Sequence, residues 1–164
     1  MRNPEATLDG WTLIFVREFR HAPEAVWAAL TDPAELDQWS PFAAKSDLGT
    51  PGDTVLTMVD GETRMDLPAT VHTATRPSLL EYTWGADVLR WELEPTDAGG
   101  TRLTLRHTLG TPGMSDKVAA GWHLCTDVLE QLLDGTPVGV IRGQDAMNHG
   151  WEELRAAYEK SFKK

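Results

Sequence analysis

The sequence predicts a single α+β domain, with a curved antiparallel sheet of short strands closed over one long helix and a cavity between them. Three observations carry that expectation. Residues 43–109 alternate apolar and polar side chains with period two, broken at short intervals by turn chemistry. Residues 115–134 carry apolar side chains at the three-and-four spacing of a helix face. The length of 164 residues suits one core and is short for two.

The first extended segment, 11–20, holds Leu13, Ile14, Phe15, Val16 and Phe19 and reads as a strand. Pro23 then suits the first turn of a helix, where its missing N–H would have no partner anyway. Val26, Trp27 and Leu30 share one side of this helix, which ends near Thr31. Asp32-Pro33-Ala34-Glu35 has the grammar of a second start, with Asp32 accepting from orphan amides and Glu35 reaching back to the cap. Leu36 and Trp39 supply its apolar edge. The two short helices form a V-shaped support inserted between the first strand and the rest of the sheet.

Strands are expected near 54–59, 63–75, 79–84, 88–95 and 101–109, with a further short one near 43–48. Asp60-Gly61, set between TVLTMV and ETRMDL, signals a two-residue hairpin because such a tight turn needs positive φ. Short turns make neighbouring strands antiparallel. Alternation places Leu80, Tyr82 and Trp84 on one face with Leu89, Trp91 and Leu93, and with Leu103, Leu105, His107 and Leu109. Glu81, Arg90, Glu92, Arg102 and Arg106 fall on the other face, which is wet.

The cover for the apolar face is the helix at 115–134, capped by Ser115 and ended by Gly135 and Pro137. Val118, Trp122, Cys125, Leu129 and Leu132 form its buried stripe, and His123, Asp127 and Glu130 lie on a face expected to be exposed. At 1.5 Å per residue the helix is about 30 Å long, enough to cross the sheet. Gly121 sits beside the stripe, where glycine costs about 1 kcal/mol relative to alanine; close approach of the sheet or a ligand would offset that. After a flexible PVGVIRGQ stretch a last helix is expected from near Asn148, packed on the domain through Trp151, Leu154, Tyr158 and Phe162. Lys160, Lys163 and Lys164 near its end favour the helix dipole. The whole chain, 1–164, is thus one domain, with a core of about 10–135, an additional C-terminal helix at 146–164 and disorder confined to the ends.

Lys and Arg number 15 against 25 Asp and Glu, a net charge of −10. Such a surface repels phosphate backbones, so neither nucleic acid nor an anionic membrane is an expected partner. No run of 18 apolar residues exists and the first ten residues lack a secretory apolar stretch, so a cytoplasmic location is expected. The one cysteine, Cys125, excludes an internal disulfide and leaves any metal site without a second thiolate. His123 and Cys125 are two apart on a helix and diverge by about 200°, while His21, His72 and His149 stand alone as solvated residues. HExxH, CxxC, GxSxG and GxGxxG patterns are absent, so neither a metal nor a nucleotide cofactor is expected.

The richest remaining feature is aromatic. Of seven tryptophans, Trp84, Trp91 and Trp122 point by pattern into the space between sheet and helix, where they either fill a core or frame a cavity. His107 occupies a slot in a leucine face; a buried imidazole needs a partner, and the residue is either a satisfied structural histidine or a group that orients a ligand carbonyl or hydroxyl. The candidate ligand-binding set is therefore Tyr82, Trp84, Trp91, His107, Trp122 and Cys125, with no catalytic or metal-binding residue assigned.

The segment REFRHAPEAVWAALTDPAELDQWSPF, together with LLEYTW, TRLTLRHTLG and GWHLCTDVLEQLLDG, resembles the START-like superfamily called SRPBCC. Within it, the closest group is similar to bacterial stand-alone relatives of the C-terminal domain of the activator of the 90-kDa heat-shock-protein ATPase. The resemblance spans about residues 10–160 and implies the helix-grip fold of START domains and birch-pollen allergens, with a cavity beneath the long helix. That superfamily holds lipid carriers, receptors, polyketide cyclases and chaperone activators, so the fold does not select a function. The first expectation is a noncatalytic module for a small hydrophobic or aromatic ligand. The second is a chaperone-accessory or stress-response interaction protein, and the third a polyketide-cyclase-like enzyme using His107. Ten residues ahead of the first strand leave no room for the extra N-terminal domain of the eukaryotic activator, which argues against direct stimulation of that ATPase and leaves a chaperone partner as the weaker expectation. The stripe of Trp151, Leu154, Tyr158 and Phe162 offers a homodimer contact if it does not pack inward.

Overall fold

Short turns between period-two segments leave each strand beside its predecessor, and the computed structural model, which describes residues 5–163, follows that logic. Met1 to Pro4 and Lys164, with the expectations of terminal disorder and of a third lysine on the helix dipole, lie outside this range. The elements run β1 (Glu5–Asp9), β2 (Thr12–Phe19), α1 (Pro23–Thr31), α2 (Pro33–Trp39), β3 (Phe42–Ala44), β4 (Gly52–Asp60), β5 (Thr63–Thr75), β6 (Leu79–Trp84), β7 (Asp87–Pro95), β8 (Thr101–Thr108), α3 (Ser115–Leu133), a 3-10 turn (Gly143–His149) and α4 (Trp151–Phe162). Among the described residues the strands make one eight-stranded antiparallel sheet in the order β1-β2-β8-β7-β6-β5-β4-β3. No described helix is long and apolar enough to cross a membrane.

Register turns the alternation into a core. Leu13 lies opposite His107, which lies opposite Leu89, which lies opposite Tyr82. One step along, Phe15, Leu105, Trp91 and Leu80 form the next row. Both rows are buried under α3, whose Trp122, Cys125 and Leu129 close the layer. A register shift in β5 between Val71 and Thr73 leaves His72 exposed and interrupts the ladder there, a device that bends a strand.

Several local expectations are corrected. β1 was not anticipated: EATLD has weak strand propensity, yet it pairs with β2 from Glu5↔Val16 to Asp9↔Thr12. The hairpin at Asp60-Gly61 is displaced by one residue. Asp60 pairs with Thr63, so the central residues are Gly61 and Glu62, with positive φ at Gly61 only. Gly10-Trp11 and Gly85-Ala86 repeat this II′-type construction, with glycine at φ 60° and 61° respectively. Asp32 does cap α2, accepting from the Ala34 amide at 3.0 Å. Its own N–H, however, already donates to the Ala28 carbonyl, so Glu35 has no orphan donor to reach and the capping box does not form. Ser115 is the first residue of α3 rather than its cap, a place taken by Met114 without a side-chain bond.

The other end of α3 follows the sequence. Gly135 adopts φ 84°, and the amides of Gly135 and Thr136 return to the carbonyls of Leu132 and Gln131, a Schellman closure. α4 begins at Trp151, later than expected, after the 3-10 turn. It lies on α3, with Tyr158 and Phe162 packed against the core. The face of α3 expected to be exposed is therefore covered in part: His123 Nδ1 lies 2.7 Å from the Tyr158 hydroxyl and Asp116 pairs with Arg155 at 2.7 Å, while Asp127 stays half-exposed.

Candidate functional site

His107 is fully buried because alternation along β8 puts it in the same row as Leu103 and Leu105. A polar ring in that place must be satisfied from inside the protein. Asp87, the first residue of β7 after its glycine turn, stands 2.6 Å from Nε2, and its second oxygen accepts the Gly110 amide at 2.8 Å. From α3, the Trp122 indole N–H donates to Nδ1 at 2.9 Å. An indole can only donate, so Nδ1 carries the lone pair and Nε2 the proton given to Asp87. Burial lowers the His107 pKa, opposed by Asp87, which keeps this neutral tautomer. Both ring nitrogens are engaged, and the histidine ties α3 to β7 and β8.

The neighbouring rings pack with similar closure. Trp91 donates to the Tyr82 oxygen at 3.2 Å, and burial pushes the Tyr82 hydroxyl above its usual pKa. Trp91 and Trp122 meet edge-on with centroids 5.3 Å apart, and Trp84 lies 6.0 Å from Trp122. Tyr82, Trp91, His107 and Trp122 are thus brought together, as packed rings and not as the walls of the open space. Trp84, at the end of β6, is only half-buried, and its Nε1 faces the Met58 sulfur at 3.2 Å.

The open space lies beside this cluster, toward the β4–β5 end of the sheet. A cavity of about 400 Å³ is bounded by Met58 and Val59 of β4, Thr63 and Met65 of β5, and Gly121, Leu124 and Cys125 of α3. Ile141, Arg142, Ala146 and Trp151 close it from the connection before α4. Of the six residues proposed from sequence, Cys125 lines it, and Trp84 borders it through Met58. Burial pushes the Cys125 thiol up to about 12, so it presents an inert wall rather than a nucleophile. Of the two close approaches expected at Gly121, that of the sheet is overturned, because a Cβ built there would meet nothing within 4 Å, and that of a ligand is left. The glycine opens the helix wall to the cavity.

Two features were missed from sequence. The PVGVIRGQ stretch, read as flexible, is a strap over the cavity. Arg142 donates to the Ser40 carbonyl at 2.9 Å, the Phe42 carbonyl at 3.0 Å and Asp37 at 3.0 Å, while Asp60 accepts the Gln144 amide at 3.1 Å. A lone arginine between apolar residues was the available signal. Arg17 was also overlooked. It shares the row of Leu13, Phe15 and Phe19, is 6% exposed, and reaches Thr126 at 2.9 Å, Asp127 at 2.6 Å and Glu130 at 3.6 Å on α3. Alternation alone places it inward.

A larger hollow, of about 740 Å³, lies near the end of α3 between Glu18, Arg20 and Asp134. Asp134 there is held by His21 at 2.7 Å and Arg20 at 3.0 Å, and the apolar cavity is the better ligand site despite its smaller size. His21 is therefore hydrogen-bonded to Asp134 rather than merely solvated. Among the described residues no group of three His, Cys, Asp or Glu side chains is placed to hold a metal.

The family model described as "Activator of Hsp90 ATPase homolog 1-like protein" matches residues 20–134. The chain belongs to this family. No curated protein matches it. A solution structure of a Bordetella parapertussis protein has a TM-score of 0.72 at 21% identity, covering 96% of this chain and 90% of that one. A conserved protein of unknown function from Enterococcus faecalis has a TM-score of 0.71 at 16% identity, covering 96% and 89%. An AHSA1 protein from Silicibacter pomeroyi is 29% identical with a TM-score of 0.63, over 75% and 97%. The first two share the helix-grip fold and the third also carries the family's name. In this activator-homolog-like protein the family match ends at the last turn of α3, so the strap and α4, which supply one wall of the cavity, lie beyond it.

Proposed function

We propose that this member of the activator-homolog-like family is a binding module that holds one small, mostly apolar molecule in the cavity between α3, the β4–β5 hairpin and the strap. The observation that carries this reading is the cavity itself: about 400 Å³, within the roughly 300–1,000 Å³ of small-molecule sites, and lined mainly by apolar residues, Met58, Met65, Leu124, Ile141 and Trp151 among them. Gly121 adds support, since a mid-helix glycine facing empty space serves volume rather than packing. Chemistry at the predicted residues is disfavoured, because His107 has no free nitrogen and the Cys125 thiol stays protonated.

Native mass spectrometry of freshly purified protein should find a retained compound. The neutral fluorophore N-phenyl-1-naphthylamine should bind saturably, and Gly121→Phe, which puts a ring into the cavity, should weaken it at least tenfold while the fold persists. Absence of both a retained compound and saturable binding, or binding indifferent to Gly121→Phe, would sink the proposal. The family description favours a second reading, an accessory to a chaperone ATPase, which a pull-down against that class of chaperone tests separately.

A further inference from the structure

The indole donors of the aromatic cluster are not equally served. Trp39 gives its N–H to the Ala29 carbonyl at 2.8 Å, Trp122 to His107 Nδ1 at 2.9 Å and Trp91 to a phenolic oxygen at 3.2 Å. Trp84 has a thioether, the sulfur of Met58, at 3.2 Å. Thioether sulfur is a weak acceptor, so this N–H retains most of its appetite for an oxygen. Met58 is also a cavity wall, and methionine is unbranched and adaptable. A strong donor thus stands one movable side chain away from an apolar space.

The polar groups at the other side of the cavity are already occupied. Arg142 is engaged by the Ser40 and Phe42 carbonyls and by Asp37, and Asp60 by the Gln144 amide. A carboxylate ligand would find no free counter-charge there, and an ion buried without one is strongly disfavoured. We infer that the ligand is an apolar molecule without a carboxylate that carries one acceptor oxygen, such as a ketone or ester, and that Trp84 Nε1 is the donor that selects it once the oxygen displaces the Met58 sulfur. This inference rests on the cavity being the binding site.

A matched pair of probes isolates the oxygen: 2-acetylnaphthalene, and 2-isopropenylnaphthalene, which has C=CH2 where the ketone has C=O. Titration calorimetry on the full chain should give the ketone an advantage of about fivefold, the worth of one net hydrogen bond. Trp84→Phe should bring the ratio to one while sparing the hydrocarbon. Met58→Leu, which removes the competing sulfur, should widen it. In the parent protein the Trp84 indole N–H resonance should move downfield with the ketone only, a readout that holds even if Trp84→Phe folds poorly. Equal affinities for the two probes, or a ratio that survives Trp84→Phe, would overturn this inference and leave the cavity reading standing. Saturable binding of neither probe would remove the binding site and this selection with it.

Discussion

At the scale of single residues, His107 is the most constrained group in the protein. Replacing it with leucine fills the slot in the leucine row but strips partners from the Asp87 carboxylate and the Trp122 N–H. We expect His107→Leu to cost about 2–4 kcal/mol in denaturant titrations, from two groups left unsatisfied, with ligand affinity nearly unchanged. The same network sets a pH dependence. Burial lowers the folded-state pKa of His107 below the value of 6.5 expected in the unfolded chain. The unfolded state therefore binds more protons as pH falls below 6.5, so stability is complete above that pH and lost through the folded pKa. Protonation would also set an Nδ1–H against the Trp122 N–H. His123, likewise lowered by burial, adds in the same direction. Unfolding free energies compared at pH 7.5 and pH 5 should fall toward acid, and less steeply in His107→Gln; a flat profile would refute the buried neutral tautomer. The slot of His107 was legible from alternation, but its partners were not, because Asp87 and Trp122 reach it only through the fold. The inward place of Arg17 was legible from the same alternation, but the groups on α3 that satisfy it, Thr126, Asp127 and Glu130, meet it only through the fold.

At the scale of elements, legibility followed whether the signal was local. Gly135 ends α3 through backbone geometry that a sequence displays, whereas the start at Met114 has no side-chain cap to read. β1 escaped for another reason, since its hairpin with β2 is local but EATLD has weak strand propensity, whereas the strap rests on Arg142 and Asp60, contacts that span long stretches of chain. Gly121 is the element-scale choice with the clearest consequence. Its added methyl would meet no atom within 4 Å, so Gly121→Ala should relieve only the helix penalty of glycine. Thermal or chemical unfolding should report a gain of about 0.5–1 kcal/mol, with modest loss of probe affinity as the cavity shrinks. No gain in stability would mean that something other than volume holds glycine there.

At the scale of the whole molecule, α3 is held at distinct places across the sheet, and the cavity opens where it is not. Trp122 fixes it to β7 and β8 through His107 and Asp87, and Arg17 fixes it to β2 through Thr126, Asp127 and Glu130. Toward β4 and β5, near the other edge of the sheet, no comparable polar tie joins α3 to the strands among the described residues, and the strap closes the gap instead. This division predicts that stability and binding separate. Arg17→Met keeps the length of the side chain but leaves Glu130, whose Oε2 is already buried without a partner, with no cation beside it. Removing one member of a buried pair typically costs about 3–5 kcal/mol; half-exposed Asp127 stays hydrated and reduces that here to about 2–3 kcal/mol. Adding Glu130→Met should recover most of the loss, because an apolar pair of similar volume needs no desolvation of charge. Throughout this series the affinity for N-phenyl-1-naphthylamine should stay within twofold of the parent, since Arg17 lies on β2 and the cavity walls lie on β4 and β5. A parallel loss of stability and affinity would show that the clamp and the cavity are one cooperative unit.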